Sequence, residues 1–185
     1  MRHFSFATFV FLLSPLFASV GLAQEFPELP GPTKQHQWLQ QFVGEWESEM
    51  AAQMPDQPAM KAKGVETVRS LGGFWIVADS KSDMMGETFF GKMTLGFDPE
   101  KQKYVGTWVD SMSGYLWTYE GEVDKSGKVL TLLTKGPCPQ VPGRHTDFKE
   151  VLEIKSEDHK VFTSSMQDED GNWITFLKID YKRKK

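Results

Sequence analysis

After Gly44 the apolar residues of the chain recur with period two, the spacing of strands with one buried face. Ten such runs are legible: 45–51, 64–71, 74–80, 88–97, 103–111, 115–123, 129–134, 146–155, 160–167 and 173–182. In the fourth, Phe89, Gly91, Met93, Leu95 and Phe97 share a face. In the sixth, Tyr115, Trp117 and Tyr119 align, and in the eighth Phe148, Glu150, Leu152 and Ile154 do. In the tenth, Trp173, Thr175, Leu177, Ile179 and Tyr181 alternate with Ile174, Phe176 and Lys178. Asp98-Pro99, Asp124-Lys125-Ser126-Gly127 and Asp170-Gly171 supply turns between runs. Residues 52–62 and 136–143 read as loops. Many short strands with turn signals between them predict an all-β barrel or sandwich. Gly91, Gly96, Gly106 and Gly121, inside strand patterns, fit the bends of a closing barrel.

Before Gly44 the period is helical. Trp38, Leu39, Phe42 and Val43 lie on one face of a helix predicted over 34–43, with Thr33 as its cap and Gly44 as its stop. Residues 24–33 hold Pro27, Pro30 and Pro32 and read as an extended Pro-rich leader. Ahead of them, Arg2 and His3 precede an apolar run from Phe4 to Val20 that ends in Gly21-Leu22-Ala23. A basic start, an apolar middle and small residues before a cut after Ala23 predict a signal peptide over 1–23. The barrel domain is then 34–185, and the chain is expected to be exported, periplasmic or secreted, and soluble after cleavage. Membrane contact is expected only through the uncleaved signal segment.

Composition narrows the classes. The 185 residues carry 21 Lys+Arg against 25 Asp+Glu. Cleavage would remove one cation, Arg2, and leave 162 residues at net charge −5. Mild acidity argues against a nucleic-acid partner. The single cysteine, Cys138, excludes an intramolecular disulfide framework and lies too far from the cut to carry a lipid anchor. It is expected to be buried and inert. No G-x-S-x-G, H-E-x-x-H, P-loop or dinucleotide fingerprint is present.

The helix followed by Gly44-Glu45-Trp46 is similar to the G-x-W entry of lipocalin-type (calycin) barrels. That resemblance implies that Trp46 closes the base and that a late basic residue, here Arg183, stacks on it. A wider resemblance runs from about Thr33 to the end. His36-Gln37-Trp38-Leu39, Leu71-Gly72-Gly73-Phe74-Trp75, Leu95-Gly96-Phe97-Asp98-Pro99 and Tyr104 through Trp108-Val109-Asp110-Ser111 resemble the bacterial domain of unknown function family 1579. The resemblance implies an antiparallel lipocalin-like barrel of about ten strands with a short N-terminal helix. It implies no activity, and so no catalytic residues.

The candidate ligand-binding residues are Trp108, Asp110, Tyr115, Trp117, Tyr119 and Glu150. Glu150 shares parity with apolar neighbours, where burial raises a carboxyl pKa. It would bind a ligand, act as an acid/base, or pair with an inward Arg69 or Arg144. Asp110 would meet ligand at a barrel mouth or cap a turn. The four aromatics would line a cavity or fill the core. His36 is expected to pack the helix, and His159 to be solvated. His145 is the sole candidate axial ligand for a haem, but one imidazole without a motif leaves the expected cofactor as none. Met50, Met54, Met60, Met84, Met85 and Met112 fall at strand ends and loops and read as soft hydrophobes at a barrel mouth. The expected function is binding of a small apolar or amphipathic ligand inside the barrel. The alternatives are a barrel enzyme, an isomerase or hydrolase using Glu150, and a filled-barrel structural protein of the cell envelope.

Overall fold

The computed structural model describes residues 30–54, 57–84 and 86–185. The expected signal peptide and most of the leader, with Met85, lie outside them. From Gly31 on, the chain is one unit. A short helix α1 (Lys34–Leu39) runs into a 3-10 turn (Gln40–Phe42), and ten strands follow. They are β1 (Gly44–Ala52), β2 (Met60–Leu71), β3 (Trp75–Met84), β4 (Glu87–Asp98) and β5 (Lys103–Asp110). The second half is β6 (Ser113–Val123), β7 (Val129–Pro137), β8 (His145–Ser156), β9 (His159–Gln167) and β10 (Trp173–Arg183). Each pairs antiparallel with its neighbours in sequence, and β1 pairs with β10, so the sheet closes on itself. Closure removes both edges, the solution an antiparallel meander of this length requires.

The strand faces follow the alternation in the sequence, with three corrections. The stretch read as a loop over 52–62 already pairs at Met60, opposite Ala52. Gly136 and Pro137, also read as loop, extend β7 against Thr146 and His145. In β10 the register slips between Thr175 and Leu177. That bulge reverses the parity: Trp173 faces solvent beneath Lys149, while Phe176 and Leu177 both turn inward.

The helix closes one end. Leu39 and Phe42 are fully buried, and the Trp38 indole donates to the Gly127 carbonyl in the β6–β7 turn at 2.8 Å. His36 packs the helix as expected. Its Nδ1 accepts from the Thr33 amide at 3.0 Å, and its Nε2 donates to the Phe97 carbonyl at 3.0 Å. Trp46 lies buried behind the helix, with its indole N–H on the Phe42 carbonyl. Arg183 covers its outer face at 4.1 Å and donates to the Val43 and Gln41 carbonyls. This is the stack that the G-x-W resemblance implies. Gly44 makes it possible: its φ of 136° is open to glycine, and a Cβ there would overlap the Arg183 guanidinium.

Candidate functional site

The barrel is hollow above this base. Midway along β1 to β3 the inward positions are small: Ser48, Ala62, Gly64, Ala78, Ser80 and Ser82. Across the barrel, on β5, β6 and β8, stand Trp108, Trp117 and Phe148, and Phe176 joins them from β10. Small residues facing large ones across a closed sheet leave a cavity of about 620 Å³. It opens at the end away from the helix, where Met50, Met54, Met60, Met84 and Met112 ring the mouth with Phe89. Thioether side chains adapt to varied shapes, which suits an entrance.

Five of the six residues expected to bind ligand line this cavity: Trp108, Asp110, Trp117, Tyr119 and Glu150. Trp108 and Trp117 are cross-strand partners on β5 and β6. Each indole lies against a glycine on the next strand, Gly91 and Gly136 respectively, where a Cβ would overlap the ring. Tyr115 is the exception. Its hydroxyl donates to the Lys135 carbonyl at 3.0 Å, which holds its ring edge-on between Trp117 and His145 rather than in the cavity wall.

Asp110 lies at the mouth with both oxygens engaged. Oδ2 accepts from the Trp108 indole at 3.0 Å, and Oδ1 accepts from the Met112 amide at 2.8 Å. It is an Asx turn that also fixes the indole.

Glu150 is the reverse case. It is 6% exposed, on the inward face of β8 among Phe148, Leu152 and Leu132. Neither arginine reaches it: Arg69 pairs with Asp79 and Arg144 with Glu169, both near the surface. Oε1 accepts from Ser164 on β9 at 2.8 Å, and Oε2 is buried without a partner. Burial pushes its pKa up to about 8, against the modest opposing effect of Ser164. Burial likewise raises the Tyr119 hydroxyl, helped by the negative fields of Glu150 and Asp110.

Sequence reasoning missed a second polar cluster, at the base. Lys160 and Glu66 meet at 2.5 Å, both almost fully buried. The ammonium lies 4.5 Å from the ring centres of Trp46 and Tyr181, and Glu66 also accepts from Ser80 at 3.2 Å. Burial pushes the lysine pKa down while Glu66 pulls it back up. The available signal was parity: Lys160 shares a face with Phe162, Ser164 and Met166. Glu66 carried the same signal, a lone carboxylate on the face of Met60, Ala62, Gly64 and Val68.

The histidines stand apart from the cavity. His145 is exposed at the start of β8 and does not line it. His159 is not simply solvated, since Nε2 meets Asp180 at 2.9 Å at the start of β9. Cys138 is free and buried. Among the described residues no group of three or more His, Cys, Asp or Glu is placed to hold a metal ion. Among them, too, no helix is long and apolar enough to cross a membrane.

The sequence model of a family described as "Protein of unknown function (DUF1579)" matches residues 31–183. No curated protein matches the chain in sequence. Among solved structures, Rv2717c from M. tuberculosis is similar with a TM-score of 0.60 at 12% identity, over 83% of this chain and 99% of that one. The S-type phycobiliprotein lyase CPES from Guillardia theta is similar with a TM-score of 0.55 at 13% identity, over 80% and 91%. At such identities the likeness is one of fold.

Proposed function

The chain belongs to the DUF1579 family, and from its hollow barrel we propose that it binds a small apolar or amphipathic ligand in the interior. The observation that carries this reading is the 620 Å³ cavity itself, apolar-walled and open at one end. Barrels of this size are commonly filled by their own side chains, and protein interiors pack densely. A filled-barrel structural role therefore does not suit this interior, whose volume lies within the range of small-molecule pockets. The indoles of Trp108 and Trp117 and the rings of Phe148 and Phe176 would cover the ligand's body. Glu150 would orient its polar end, since both Asp110 oxygens already accept from the Trp108 indole and the Met112 amide. Titration with Nile red, an uncharged apolar dye, tests the reading: saturable one-to-one binding with a blue-shifted emission supports it, and no binding at micromolar protein overturns it.

A second reading, an acid/base enzyme, is favoured by one observation, Ser164 at 2.8 Å from a carboxyl that holds its proton near neutral pH. The two readings separate on Glu150→Gln, which would abolish turnover of a substrate yet preserve its binding. We also propose that residues 1–23 direct export. N-terminal sequencing of protein recovered outside the cytoplasm would begin at Gln24, and a chain starting at Met1 would refute cleavage.

A further inference from the structure

We propose that the ligand is an uncharged amphipath with a carbonyl or hydroxyl oxygen at its polar end, and that this oxygen accepts a hydrogen bond from the Glu150 carboxyl. The inference rests on the ligand-binding reading and names the chemistry that this cavity selects.

Three observations support it. First, Oε2 of Glu150 is buried and unpartnered, on a residue that lines the cavity. A buried polar atom without a partner costs free energy that a ligand recovers by pairing with it. Second, the carboxyl is already satisfied on its other oxygen by Ser164. Since that hydroxyl donates, the vacant oxygen is the one free to carry the proton and to point it at an acceptor. Third, the surroundings disfavour charge. The groups facing Glu150 are Ser164 from β9, Leu132 from β7 and the Tyr119 phenol from β6. Asp110 stands at the mouth. The only buried cation among the described lining residues, Lys160, is engaged by Glu66 and by the Trp46 and Tyr181 rings. An anionic head group would find two carboxyls and no free interior cation. A cationic one would have to ionise Glu150 inside apolar walls that give the carboxylate one donor.

The charge state supplies the pH dependence. With its pKa near 8, Glu150 is mostly a neutral acid at pH 7 and ionises above that. Ionisation removes the donor, so binding of an acceptor ligand weakens as pH rises through 8. Binding of an amine would strengthen over the same interval.

The test uses ten-carbon probes that differ only at the polar end: 2-decanone, decylamine and decanoate. Each is titrated by quenching of tryptophan fluorescence or by Nile red displacement, against the wild type, Glu150→Leu and Glu150→Gln. For 2-decanone at pH 7, Glu150→Leu is expected to weaken binding about tenfold. Glu150→Gln, which keeps a neutral donor, should hold affinity within about threefold. Between pH 6.5 and 9.5 the wild type should lose about tenfold for 2-decanone, and Glu150→Gln should not. Decanoate should bind Glu150→Leu better than the wild type. A loss on Glu150→Leu that is larger for decylamine than for 2-decanone overturns the proposal. So does 2-decanone affinity that is unchanged in the wild type at pH 9.5, or that falls in parallel in Glu150→Gln. Should Glu150→Leu not fold, the pH series on the wild type and Glu150→Gln decides alone. Nile red separates the two levels. If the dye binds and these contrasts fail, the ligand class is wrong and the binding site stands. If neither dye nor probe binds, the binding reading fails.

Discussion

Replacing Glu150 by glutamine should make the protein more stable, and increasingly so as pH rises toward 8. The carboxyl is held in its neutral form by desolvation on the inner face of β8, with its pKa moved from an ordinary 4.5 to about 8. Below pH 4.5 the group is protonated in both the folded and unfolded chains and adds no pH-dependent cost. Between 4.5 and 8 the unfolded chain releases the proton while the folded one keeps it, so the native state binds more protons and stability falls with pH. Each pH unit in that window is worth about 1.4 kcal/mol, so Glu150 removes about 3 kcal/mol by pH 7. The penalty levels off above pH 8, where both states are ionised. Glutamine has nearly the same shape, can accept from Ser164 and does not titrate. Urea unfolding of both proteins at pH 4.5, 6, 7 and 8.5 measures the effect. The stability of Glu150→Gln relative to the wild type should climb by about 3 kcal/mol from pH 4.5 to 7 and flatten beyond 8. Other carboxylates cancel in that difference. A difference that stays constant with pH, or shrinks, refutes the burial argument for Glu150.

Other perturbations probe the base and the walls. Lys160→Met leaves the Glu66 carboxylate buried without its ammonium and should cost about 3–5 kcal/mol in urea unfolding, most of it recovered by adding Glu66→Leu. Arg183→Ala removes the cation stacked on Trp46 and two hydrogen bonds to the turn after α1. It should cost about 1–3 kcal/mol and shift the Trp46 fluorescence. Gly91→Ala drives a methyl group into the Trp108 indole. The ring must move into the cavity, so stability should fall by about 1–3 kcal/mol and Nile red affinity should drop, with the circular dichroism of the barrel retained.

Period-two alternation was enough to locate all ten strands, because a closed meander buries one face of every strand and leaves the other to water. It failed where local geometry changes the count. The bulge in β10 lets Phe176 and Leu177 face inward together, and no residue type in that run announces it. Glu150 was legible because a lone carboxylate sat at apolar parity. Its freedom from Arg69 and Arg144 was not, since Arg69 lies on the outward face of β2 and Arg144 in the loop before β8, and their partners, Asp79 and Glu169, come from other parts of the chain. The cavity was the hardest feature to read. It depends on which face of β2 and β3 turns inward, and β3 is apolar on both faces at Trp75-Ile76-Val77-Ala78. Register shows that Ile76, Ala78, Ser80 and Ser82 are the inward set, and only then do the small residues add up to a space.

Ligand binding in the barrel requires that this space be occupied. Native mass spectrometry of the protein purified from its own host, under conditions that preserve non-covalent contacts, measures this directly. The prediction is a species heavier than the chain by a small molecule, which is lost on denaturation and replaced by Nile red in competition. A protein that is consistently empty, and that also refuses the dye, would contradict it.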